Sequence, residues 1–316
     1  MLTALLAAPA QARDLHLSRL STGDCASTLG TDLILQQTGT PTLRPDQAAF
    51  RELVAQLAEA ASPTQIAPVT TSGPAGFDVA LETTFSTLTK SDAMRRALGD
   101  GAATCDVRGS APSSLLGNRL RFSKGLPLGF SLGAQAGLIH DTDLYVVGVD
   151  AQLALLEEVW RLPDLALRAA VTRLVGAQDL TLYAISFDAL LSHRFVLFQR
   201  AELSPFAGAG ARWTHASART DLTPNIDAVD CAAGRDAICN AGGLGASRDD
   251  FAHDVRFERV SQLRYRAFAG VRLRVARFAL AGAVAFDPVA PRLDDRGRGD
   301  TLARQWTLSV APSVTF

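Results

Sequence analysis

The feature that most limits the fold is the end of the chain, where residues 305–316 read QWTLSVAPSVTF. Trp306, Leu308, Val310, Pro312, Val314 and Phe316 share one parity, and Gln305, Thr307, Ser309, Ala311, Ser313 and Thr315 share the other. Successive side chains of a strand point to opposite faces. The segment therefore reads as a strand with one apolar face and one small, polar face.

The same period of two recurs upstream. Phe77–Phe85, Leu120–Phe122, Leu128–Leu138, Tyr145–Leu155, Leu165–Val171, Tyr183–Leu191, Pro205–Trp213, Leu263–Leu273 and Phe278–Phe286 each put apolar residues on one parity. Small or polar residues fill the other. With the last strand this makes ten, and single-chain bacterial barrels favour even counts. No run of about 20 apolar residues occurs, so a helical membrane protein is excluded. The chain has 316 residues, is 47% hydrophobic and carries a net charge of −1. Near-zero charge gives no basic face for nucleic acid, and the apolar content excludes wholesale disorder. The expected fold is an all-β antiparallel transmembrane barrel of ten strands. It becomes twelve if Asp32–Gln36 and residues 66–72 join the wall.

A terminal alternating strand closing on Phe resembles the C-terminal β-signal of bacterial outer-membrane barrels. Trp306, Leu308, Val310, Val314 and Phe316 carry the likeness, and Pro312 is its irregular member. The resemblance implies a place in the outer membrane, contact with its lipid, and recognition of this strand by the barrel assembly machinery. KGLPLGF (124–130) and LPDLAL (162–167) also look similar to an uncharacterised family of Gram-negative outer-membrane barrels, a likeness that implies no activity. Connection lengths fit a periplasmic C-terminus: those near 124–127, 157–163, 195–200 and 274–277 are short, whereas the outer ones at 87–114, 215–258 and 287–302 are long and those near 140–143 and 176–180 are outer but short. Bacterial barrels have short periplasmic turns and longer outer loops.

Residues 1–12 form a short apolar run ending in Ala10-Gln11-Ala12, which reads as a signal peptide with an A-x-A cleavage site. Residues 13–74 lack the strand rhythm. Within them, 45–61 reads as a helix with Pro45 and Asp46 at its start and Phe50, Leu53, Val54, Leu57 and Ala61 on one face. This segment is either a plug or periplasmic, and 75–316 is the barrel.

The polar parity is rich in charge. It carries Arg119, Arg121, Arg168, Arg212, Arg264, Arg266 and Arg272 against Asp78, Glu82, Asp150 and Asp188. Charge facing lipid is penalised, so these residues are assigned to the lumen. They make either an internal salt-bridge network or an arginine-rich constriction favouring anionic solutes. The alanines at 279, 281, 283 and 285 and the glycines at 129, 133, 208 and 210 predict a thin wall with room for a plug, solute or water.

There are four cysteines. Cys231 and Cys239, eight apart in one Gly/Ala-rich loop, suit a local disulfide in an exported protein. Pairing of Cys25 with Cys105 would require the N-terminal segment to thread the lumen, as the hatch of some fatty-acid transport barrels does; otherwise Cys25 is unpaired. The spacing fits no zinc site, and no metal or cofactor is expected. Two segments combine His with carboxylates: His140, Asp141 and Asp143, and Asp249, Asp250, His253 and Asp254. Ten-stranded outer-membrane proteases place such pairs at the barrel mouth, where His is the base. The acidic 215–258 loop and Arg298-Gly299-Asp300 read as solvated loop residues. Three roles follow, in order: a channel or transporter for small solutes or lipids, a closed barrel acting through its outer loops, and a mouth hydrolase.

Overall fold

The computed structural model describes residues 15, 17–22, 44–69, 73, 75–88, 92–98, 113–157, 162–177, 180–197, 201–218, 257–289 and 304–316. Ten antiparallel strands form the wall: β1 Phe77–Thr87, β2 Ser114–Gly125, β3 Phe130–Ile139, β4 Tyr145–Leu156, β5 Asp164–Val175, β6 Leu180–Ser192, β7 Ala201–Ala218, β8 Val260–Val275, β9 Phe278–Phe286 and β10 Trp306–Thr315. Each pairs with the next, and β10 returns to β1, so the sheet has no free edge. Closure removes the unpaired backbone that an open sheet would expose to lipid. A three-residue strand, Phe195–Leu197, pairs only with the start of β7. The twelve-strand alternative is therefore corrected to ten. The β1–β10 pairing leaves no place for a further strand, residues 66–69 are not in the wall, and Asp32–Gln36 lies outside the described residues.

The polarity of the wall is inverted relative to a soluble barrel. Leu81, Leu120, Val149, Phe187, Leu263 and Leu280 all face outward and are more than half exposed. Inside, Arg119, Arg168 and Arg212 are among the largest fully buried side chains. Such a large apolar exterior needs an apolar solvent. A closed antiparallel barrel of this polarity is the architecture of bacterial outer-membrane proteins.

The ends of β2, β4, β6 and β8, the chain terminus and residues 73, 75 and 76 share one rim, here called the turn end. Two of its turns use left-handed backbone: Leu128 (φ 63°) with Gly129 (φ 74°), and Ala276 (φ 54°). Successive positive φ values match the twist of paired strands. The other rim, the loop end, takes the ends of β1, β3, β5, β7 and β9 and carries an apolar cluster. There α1, Gln47–Ala61, lays Phe50, Leu53, Val54 and Leu57 against Leu115, Ile139, Leu144, Leu174 and Leu182 from the strand ends. Asp46 caps α1, accepting from the Ala49 amide at 3.0 Å, so the helix starts two residues later than the sequence reading placed it. A short helix, α2 (Asp92–Leu98), adds Met94 and Leu98 to the cluster. Ser62 and Pro63 end α1, because Pro has no N–H to continue it and disfavours helical geometry in the residue before it.

Candidate functional site

The lumen is filled by the chain itself. After α1 the segment 62–69 descends through the barrel toward the turn end, and the wall grips its backbone. The guanidinium of Arg119 donates to the carbonyls of Ala60 and Ser62, the latter at 2.5 Å. Arg264 donates to Ala55 O at 2.7 Å, Arg266 to Pro63 O at 2.7 Å and Arg168 to Thr64 O at 3.3 Å. Lower down, Gln152 donates to Val69 O at 3.1 Å, and the Val69 amide donates to Ser192 Oγ at 3.1 Å. The bonds to Ala60 and to the residues beyond the helix have a physical cause. The last turn of a helix leaves carbonyls without partners and carries the negative end of the dipole. A buried carbonyl with no partner costs about 1–3 kcal/mol. Arginines on the facing strands remove that cost here.

The same arginines pair with carboxylates. One row runs Arg121–Asp150–Arg168–Asp188–Arg266. Arg121 meets Asp150 at 2.8 Å, Arg168 lies 3.4 Å from Asp150 and 4.0 Å from Asp188, and Arg266 grips Asp188 through two bonds at 2.9 and 2.5 Å. A fork-on-fork contact of that kind is the strongest form of ion pair. The row holds three guanidiniums and two carboxylates, so it keeps one net positive charge. Arg212 pairs with Glu59 of α1 at 2.5 Å. Arg264 pairs with Asp287 and donates to Gln305 Oε1 at 2.9 Å. Arg272 reaches Asp78 at 3.1 Å near the turn end. Glu82 stands opposite Arg119 in register, is fully buried, and accepts from Thr84 at 2.8 Å.

Two acids were missed in sequence: Glu59 and Asp287. Seven arginines against four carboxylates leaves a buried excess that other elements must offset. The apolar helix face drew attention away from Glu59, which is 7% exposed and also accepts from Thr307 at 3.0 Å. The thin-wall positions are occupied rather than open. Phe206 and Phe268 project inward beside Ile66 and Val69, and Ala281, Ala283 and Ala311 face them. A Cβ at Gly208 would lie 2.4 Å from the Phe268 ring, and one at Gly210 would lie 2.1 Å from Asp188 Oδ1.

Trp306, Leu308 and Val310 face outward on β10. Phe316 closes the seam: its amide donates to Phe77 O at 2.9 Å, and the two rings stack at 4.8 Å. His140 lies 2.8 Å from the Asn118 amide nitrogen, which sits beside Thr83. Asp249, Asp250, His253 and Asp254 lie outside the described residues, as do Cys25, Cys105, Cys231 and Cys239. Among the described residues no group of three or more His, Cys, Asp or Glu could hold a metal ion, and no helix is long and apolar enough to cross a membrane.

No protein-family model and no curated relative matches the sequence. Among solved structures the chain is similar to Ail, the attachment invasion locus protein of Yersinia pestis, at 11% identity and a TM-score of 0.27, over 76% of this chain and 98% of that one. It is similar to the KdgM porin at 8% identity and a TM-score of 0.29, over 76% and 99%. It is also similar to the outer-membrane protease OmpT of Escherichia coli at 6% identity and a TM-score of 0.31, over 81% and 99%. Assignment to the outer-membrane class rests on the closed wall and its inverted polarity.

Proposed function

We propose that this protein is a self-plugged outer-membrane barrel, closed to steady solute flow, that acts through its loop end. One observation carries the reading: the carbonyls of residues 55, 60, 62, 63, 64 and 69 are all bonded by wall side chains. A solute moving through the lumen would have to break this set and leave several guanidiniums short of partners at once. In this reading the exported chain is assembled through its last strand, with Trp306, Leu308, Val310, Val314 and Phe316 as the recognised residues and outer-membrane lipid against the wall. The turn end then faces the periplasm, and the arginines serve to anchor the plug rather than to select anions.

Single-channel recording of the refolded full-length protein in planar bilayers tests this reading. Absence of steady current in oxidised and in reduced protein is expected. A steady ohmic current in either state would overturn it and restore the channel reading.

A further inference from the structure

Each strand takes the chain across the wall once, so ten strands bring residue 316 back to the rim where β1 begins. Phe77 and Phe316 share that rim and are bonded backbone to backbone. The plug adds an eleventh crossing. It starts at Ala60 and Ser62 on Arg119 and ends at Val69, held by Gln152 and by Ser192, the last residue of β6. Gly76 then accepts from the Gly125 amide at 3.2 Å, at the end of β2. Eight residues reach at most roughly 26–29 Å, enough for an apolar band about 25 Å tall. Eleven is odd. The chain before residue 62 therefore stands at the rim opposite residue 316.

A folded cap occupies that rim. It is formed by residues 15, 17–22 and 44–61 with α2. Leu15, Leu17 and Leu20 are buried in one cluster with Phe50, Leu53 and Leu57 of α1 and with Met94 and Leu98 of α2. Ser21–Thr22 pairs with Arg44–Pro45, and the Asp46 amide donates to Leu20 O at 2.8 Å. The cap is also fastened to the approach to β8. Gln47 donates to Glu258 O at 3.1 Å and accepts from its amide at 2.9 Å, and the Phe50 ring stacks on Phe257 at 4.6 Å.

We infer that this cap is a module displayed on the outer face of the membrane, carried there through the barrel that it then closes. The inference rests on the proposed orientation, in which the turn end faces the periplasm. An exported chain comes to the outer membrane from the periplasm, so the cap has to cross the bilayer. Backbone in lipid needs every N–H and C=O paired within a helix or a closed sheet. A segment in transit lacks that pairing, which leaves the lumen as its path. The seated plug has no room beside it for a second strand, because Phe206 and Phe268 pack with Ile66 and Val69 and the arginines hold the carbonyls of residues 60, 62, 63 and 64. Crossing therefore comes first. The carbonyls come within reach of the arginines only once the cap has passed, and the bonds then oppose its return. The wall arginines act as a latch on a finished export step.

The test uses intact Gram-negative cells expressing the full-length protein with its four natural cysteines changed to Ser. Three variants each place one cysteine at an exposed position: Ala48→Cys on the cap, Asp143→Cys on the β3–β4 turn of the wall, and Ala75→Cys at the turn end. Arg51→Cys, half-buried on the same helix, decides the matter if Ala48→Cys does not fold. Heat-modifiable gel mobility checks folding. The probe is a maleimide-linked polyethylene glycol too large to pass porins, read as a gel shift. Positions 48 and 143 should shift on intact cells, and position 75 only after the outer membrane is permeabilised. A shift at 143 without one at 48 would overturn display of the cap and leave the orientation standing. A shift at 75 on intact cells without one at 143 would reverse the barrel and overturn both. Silence at 48 on intact cells overturns the inference in every case.

Discussion

Glu59→Ala is the sharpest perturbation of the plug. Glu59 is the only carboxylate that α1 presents to Arg212 among the described contacts, at 2.5 Å, and Arg212 is 1% exposed. Removing one member of a buried pair leaves the other charged and unmatched, which costs about 3–5 kcal/mol. Thr307 also loses its acceptor. The cost falls on docking of the plug, because the wall pairs Arg121–Asp150, Arg266–Asp188 and Arg264–Asp287 stay in place. At 1.4 kcal/mol per factor of ten, release of α1 becomes easier by about 10²–10³. Amide hydrogen exchange reads that release directly, since local opening sets the exchange rate. Amides in the last turn of α1 should exchange at least about a hundredfold faster, while strand amides keep their protection. Removing both partners, in Glu59→Ala with Arg212→Leu, should recover part of the loss, because no lone charge remains. Exchange in α1 within about threefold of the parent would refute the view that this ion pair holds the plug.

Three further outcomes follow from the wall. Asp150→Asn takes the carboxylate shared by Arg121 and Arg168 and should lower the urea midpoint of folding into vesicles by the equivalent of about 3–5 kcal/mol. Phe187→Arg, at the middle of β6 on the lipid face, should cost about 2–4 kcal/mol in the same titration, whereas a soluble barrel would tolerate it there. Gly210→Ala puts a methyl group 2.1 Å from Asp188 Oδ1 and 2.4 Å from Phe187 O, so the temperature at which the folded gel band is lost should fall by the equivalent of about 1–3 kcal/mol.

The wall was legible because a two-residue period writes itself along every strand. Tyr145, Val147 and Val149 face out while Asp150 and Gln152 face in, as alternation requires. The ten strands read from sequence correspond one for one with those observed, and a closed antiparallel barrel is the observed fold. The plug was less legible. Its helix showed through the spacing of Phe50, Leu53, Val54 and Leu57, but the residues that fix its position act through backbone carbonyls, which no side-chain pattern reveals. Ser62 and Pro63 look like a helix stop, and they and Thr64 turn out to be held by Arg119, Arg266 and Arg168. Glu59 was hidden because an acid in an amphipathic helix ordinarily faces water. Pro312 stood out as an irregular member of the last strand, but only the pairing with β1 shows where the bond it cannot give is lost.

Residues 62–69 of the chain occupy the lumen of the barrel. Cysteine accessibility tests it most directly. In a background with the four natural cysteines changed to Ser, Thr64→Cys sits at a position that is 7% exposed and held by Arg168, whereas Ala75→Cys sits exposed at the turn end. In protein reconstituted in nanodiscs, where both rims are open to reagent, a water-soluble maleimide should label position 75 rapidly and position 64 only after the membrane is dissolved and the protein unfolded. Equal rates at the two positions in the intact disc would mean that the lumen is open to water along residues 62–69, and the account of a self-plugged barrel would be wrong.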